Sequence, residues 1–144
     1  MATGTNLVFN HTALLLAQGL LDFQAAGDMR VVACSVLPVA TNTLKSNLTV
    51  STNLVAATIA LTSESLSTTT TKDAKFDAAN VTFTASGGSS TIADFAIYSD
   101  AVTSPLDALV LFGDVDTATA SITLAIGEKL TIAWNASGII KLDA

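Results

Sequence analysis

From residue 29 onward the chain is written in short, β-branched segments that return roughly every 10–15 residues with turn residues between them, a spacing that antiparallel sheet requires and helices do not give. The clearest is residues 81–85, where Val81, Phe83 and Ala85 alternate with Thr82 and Thr84. Successive side chains of a strand point to opposite faces, so this segment predicts one buried and one solvated face. Leu130, Ile132 and Trp134 alternate in the same way against Lys129, Thr131 and Ala133. Further strands are predicted in residues 29–37, ended by Pro38, in residues 53–62, expected to be buried on both faces, and in residues 91–99, 106–113, 120–126 and 139–142. Gly87 and Gly88 lie in a predicted turn over residues 86–90, residues 135–138 read as a second turn, and the threonine run 68–71 reads as an exposed loop or edge.

Only the N-terminal part carries helical spacing. Asn10 or Thr12 can cap a helix running to about Phe23, with Leu14, Leu15, Leu20 and Leu21 recurring near helical spacing and Gly27 beyond its end. The predicted fold is therefore all-β, an antiparallel β-sandwich of jelly-roll-like arrangement with about eight strands in two sheets and one short N-terminal helix. A chain of 144 residues is long enough to bury roughly 68–70% of its unfolded surface, so residues 1–144 are expected to form a single domain.

Composition narrows the function. Charged residues make up 12% of the chain, about half the usual share, while 50% of it is hydrophobic and 21 Thr and 13 Ser supply most of the polar surface. Such a surface leaves apolar patches in water unless they are covered by further copies or by a partner. Membrane spanning is not expected: the uncharged stretch 46–63 is interrupted by Asn47, Thr49, Ser51, Thr52, Asn53 and Thr58. No Lys or Arg precedes Arg30, so residues 11–21 lack the basic flank of a secretory signal and are expected to be mature structure. The net charge is −6, and Arg30, Lys45, Lys72, Lys75, Lys129 and Lys141 are scattered, which argues against nucleic acid, whose phosphates select clustered cations. Cys34 is the sole cysteine, which excludes an intrachain disulfide and fits folding in a cytoplasm.

No residue pattern points to catalysis, to a cofactor or to a metal. His11 is the only histidine, no serine stands in a nucleophile-elbow context, and a surface or capping role is expected for it. Asp114 and Asp116, with Glu128 as a third donor, lack the ligand-dense loop of a calcium site and are read as a solvated loop. Asn10, Asn47, Asn80 and Asn135 each begin an Asn-x-Ser/Thr triplet and are expected to be unmodified. Trp134 shares a face with Leu130 and Ile132 and is expected in the core, whereas Tyr98 is the better candidate for an exposed aromatic contact.

Four segments, FDAANVTFTA (76–85), TIADFAIYSD (91–100), TSPLDALVLFG (103–113) and LTIAWNASGIIKL (130–142), together resemble a family of small tailed-phage virion structural proteins of the head decoration or cement type, matched mainly over residues 76–142. In that family a similar strand, an Ile-Tyr strand, a Ser-Pro-Leu loop and a closing Trp to Gly-Ile hairpin occur in this order. HTALLLAQGLLDF (11–23) before MRVVACSV (29–36) is similar to its short helix and first strand. The resemblance implies a non-enzymatic virion component, in the head or the tail; the preferred reading is a protein made in the bacterial host cytoplasm and placed on the capsid surface. Its partners would be the major capsid protein and further copies of itself, as a trimer. It supplies no catalytic residues. On this reading residues 1–9 form an extended N-terminal arm, and Asn6, Leu7, Val8, Phe9 and Tyr98 are the expected partner contacts. The alternative is a tail- or fibre-associated module that recognises host glycans.

Overall fold

The computed structural model describes residues 7–23, 28–68, 74–103, 106–115, 121–134 and 138–142. They form a mostly antiparallel β structure with one short α-helix, α1 (Thr12–Ala17). The strands are β1 (Leu7–Val8), β2 (Met29–Cys34), β3 (Thr58–Ala60), β4 (Ser65–Thr68), β5 (Ala74–Asp77), β6 (Val81–Thr84), β7 (Ser90–Ile92), β8 (Asp94–Thr103), β9 (Leu106–Asp114), β10 (Ile122–Leu124), β11 (Lys129–Ile132) and β12 (Ile140–Leu142). Among the described residues twelve strands, most of them short, stand where about eight were expected from sequence, and they fall into a five-stranded sheet β1-β9-β8-β2-β3 and three smaller ladders, β10-β7, β11-β6 and β12-β5-β4.

The registers join these ladders into one object. Thr103 pairs with Leu106, Ala96 with Phe112, Ile92 with Ile122, Val81 with Ile132 and Phe76 with Ile140, all antiparallel. The strands β5 to β8 and β9 to β12 are therefore the two arms of a single long hairpin. Its tip half, β8 and β9, lies in the five-stranded sheet. Its base half, β5 to β7 with β10 to β12, contributes Phe76, Val81, Phe83, Ile92 and Leu124 to the same core as Val31, Ala33, Phe95 and Ile97 of that sheet. The alternation seen in sequence explains the packing: Val81, Phe83 and Ala85 are buried, and Thr82 is exposed.

The centre of the five-stranded sheet is covered on both faces. Val31, Ala33, Phe95 and Ile97 face the hairpin base. Val32, Cys34, Ala96 and Tyr98 point the other way and pack with Phe9, Leu109 and Phe112, under Ala40, Leu48 and Val50 of the segment that follows β2. Between Ile97↔Leu111 and Tyr98↔Leu109 the register shifts, leaving Val110 as an extra residue on β9. Such a bulge lets two neighbours share a face, and Val110 and Leu111 both join the larger core. The Val110 carbonyl accepts from the Thr12 hydroxyl at 2.7 Å and from the Phe9 amide at 3.2 Å, which pins the N-terminal segment to β9.

Three expectations change here. The helix ends at Ala17 and not near Phe23, because Gly19 adopts φ +66°, the Leu20 amide donates to the Leu15 carbonyl and the Gly19 amide to the Leu16 carbonyl, a Schellman termination. Residues 53–62 are not a doubly buried strand. Asn53 takes φ +58°, the Val55 amide reaches the Thr84 carbonyl and Ala57 accepts from Ala33, so this stretch crosses between layers before the half-buried edge strand β3. The strand expected over residues 91–99 divides at Ala93, whose amide donates to Cys34, with β7 pairing β10 and β8 entering the large sheet. Thr68 does lie on an exposed edge strand, and residues 69–71 are outside the described residues. No helix among the described residues is long and apolar enough to cross a membrane.

Candidate interaction surface

Among the described residues Cys34 and Asp94 are buried, while Asp22, Asp100, Glu128 and Lys129 are exposed. His11 occupies the N-cap position of α1 without a side-chain capping bond, and its ring lies 6.3 Å from that of Phe9. Burial holds its pKa below the ordinary value, partly opposed by the Leu109 carbonyl. Cys34 is fully buried, and burial followed by the neighbouring Asp94 charge pushes its thiol up to about 12. Thiolate is the reactive form, so Cys34 is expected to resist alkylation in the native protein at neutral pH and to react only on unfolding. The thiol's raised pKa contributes stability that is complete below the unfolded value of 9.0 and lost as pH rises from there toward about 12. Thiol labelling with and without denaturant, and unfolding midpoints across that window, check both points.

Asp94 is buried and takes the Phe95 amide at 2.6 Å, and Asp114 stands opposite it at the end of β9. Glu128 accepts from the Ala125 amide at 2.7 Å and closes the β10–β11 turn, while Asp116 is outside the described residues. Among the described residues no group of three or more His, Cys, Asp or Glu side chains could hold a metal ion. Asn47 accepts from the Thr43 and Leu44 amides and Asn80 from the Trp134 amide, so these two amides shape turns. Asn10 is exposed, and Asn135 is outside the described residues.

Two of the expected contact sites lie in other surroundings than expected. Tyr98 is only 2% exposed, on the sheet face under the segment after β2. Its hydroxyl takes the Lys45 ammonium at 3.2 Å, and that ammonium sits 4.8 Å from the ring centroid, so no free aromatic platform remains there. The N-terminal arm is corrected for the residues the structure describes: Leu7 and Val8 pair with Phe112 and Leu111 as β1, and Phe9 is buried against Phe112 with ring centroids 4.8 Å apart. Asn6 is outside the described residues. Trp134 meets its expectation in part. It is half-buried, packs edge-on to Phe95 at 5.6 Å and donates its indole N–H to the Ala79 carbonyl at 2.9 Å.

What remains on the outside is apolar and hydroxyl-rich. Val36, Leu37 and Val39 are each more than half exposed, on a stretch without charge between Arg30 and Lys45. The backbone beneath them is fixed: Pro38 is buried, Asn42 and Val39 bond reciprocally at 3.0 and 2.8 Å, and the Asn10 amide holds the Ala40 carbonyl at 3.0 Å. A second apolar pair stands at the corner of the hairpin, with Val55 72% and Ile126 70% exposed on either side of β6. The outward face of the hairpin base is built from threonine rungs, Thr82 with Thr131 at 2.8 Å and Thr91 with Thr123 at 3.4 Å. Large apolar side chains held out by ordered backbone can bury area against a partner without first paying to order a loop. The sequence reading ran the strand through residues 36 and 37 to Pro38, and the signal missed was Asn42, which bonds back to Val39 and shapes the loop. Comparison of the chain with family models, with curated proteins and with solved structures finds no match in any of the three.

Proposed function

We propose that this chain is a phage virion structural protein, a capsid decoration or cement protein that binds the outside of the head and stabilises it without chemistry. The observation that carries the reading is the exposed Val36, Leu37 and Val39 on a hydrogen-bonded loop, in a chain whose surface has few charges. The folded hairpin, with one arm-pair over the other, supports the finer description of a jelly-roll-like sandwich. The mechanism is burial of apolar area on the major capsid protein and between copies of the chain in a small cyclic oligomer, with strand addition at an open edge. Each copy would tie neighbouring capsid subunits together against the pressure of packaged DNA. The alternative, a glycan-reading tail module, drew on Tyr98 together with loop residues, and Tyr98 is buried.

The test is to quantify the protein in purified particles and to place it in their density. Copies on the order of hundreds, spread over the head lattice, are expected for symmetric decoration. A few copies at one vertex would move the protein to the tail, and its absence from particles would sink the virion reading.

A further inference from the structure

Among the described residues nothing pairs with the outer edge of the ladder β12-β5-β4. β4 pairs with β5 from Ser65↔Asp77 to Thr68↔Ala74 without a bulge, and all four of its residues are exposed. It contains neither charge nor proline, and among the described residues its other side meets no backbone partner. Native sheets ordinarily blunt such an edge with a lysine, a proline or a bulge. Across this sheet Ile140, Phe76 and Leu66 form one row, in which Phe76 is buried and Leu66, where the row stops, is 44% exposed.

We infer that β4 is a self-pairing edge: a second copy of the chain adds its own β4 antiparallel, with Leu66 opposite Leu66 of the partner subunit. The inference rests on the proposed self-association and names the surface that performs it. An open strand edge is satisfied only by another strand, and a two-fold interface requires a patch that complements itself. This register does so, because the apolar row continues into its own copy and Ser65 meets Ser67 of the partner subunit. Glu64 meets Thr68 of the partner subunit and no acid, and Lys75, on the neighbouring strand β5, faces Asp77 at 3.7 Å. Four residues a side bury less than the roughly 1,200–2,000 Å² of a stable interface, so the pairing is weak in dilute solution and gains where copies are held side by side.

Single cysteines at positions 65, 66, 67 and 68, introduced with Cys34→Ser, test the register under mild oxidation of the full chain. Directly opposed residues of an antiparallel pair stand at disulfide distance. Leu66→Cys is expected to pass into covalent dimer, whereas Ser65→Cys and Ser67→Cys each stay monomeric alone and cross-link when mixed. Ser67→Pro should abolish concentration-dependent dimerisation in sedimentation while the far-UV spectrum is unchanged. Cross-linking without this positional pattern, in a wild type that still sediments as an oligomer, overturns the β4 edge and leaves self-association standing. A wild type that is monomeric at every concentration and does not cross-link overturns both.

Discussion

Removal of residues 1–9 is expected to lower the unfolding free energy by about 3–5 kcal/mol, the cost of losing one fully buried phenylalanine, before the β1 ladder is counted. In a domain of this size that corresponds to a fall in Tm of roughly 10–20 °C. The reason is local. Phe9 is 1% exposed and fills the second face of the large sheet beside Phe112, and its amide satisfies the Val110 carbonyl that the β9 bulge turns outward. A free arm would behave differently, with unchanged denaturant midpoint and weaker attachment to a particle. Phe9→Ala separates the two, since it should reproduce most of the loss while keeping the chain length. A change below about 1 kcal/mol for both variants would show that this part of the core is dispensable.

Trp134→Ala is expected to cost about 2–3 kcal/mol, below the full value for a buried aromatic because the indole is half-buried. Phe83→Ala, at a fully buried position of the same core, should cost about 3–5 kcal/mol. Trp134→Phe keeps the edge-on contact with Phe95 and removes the indole bond to the Ala79 carbonyl, so about 1 kcal/mol is expected. Urea unfolding of the three variants gives the ranking directly. Trp134→Ala as mild as Trp134→Phe would mean that the ring contributes little beyond its hydrogen bond.

Period-2 alternation made β6, β11 and the inward side of Trp134 legible, because those strands have one wet face and one dry face. It failed for β3 and for the junction at Ala93, where the chain leaves one layer for the other and the pattern belongs to neither. Gly19 was a readable stop for α1 that the leucine spacing masked. The burial of Tyr98 was not legible: it depends on Lys45 and on the segment carrying Leu48 and Val50 folding back over β8, contacts between residues far apart in the chain. The interaction surface was visible only as a compositional excess of apolar over charged residues. Which side chains carry it follows from Pro38 and Asn42, whose packing and hydrogen bonds no single-residue pattern announces.

The long hairpin sets an order in which the molecule can come together. Thr103 and Leu106 lie almost side by side in the chain, so the first rung closes a loop of minimal entropy, and each later rung is brought near by the one before it. Contacts as distant in sequence as Ala74 with Leu142 then need no independent search, only a zipper running from tip to base. During synthesis the zipper runs in the same direction as the ribosome. β8 and β9 can join β2 while β5 still waits, and β5 acquires its second neighbour only once residues 140–142 have been made.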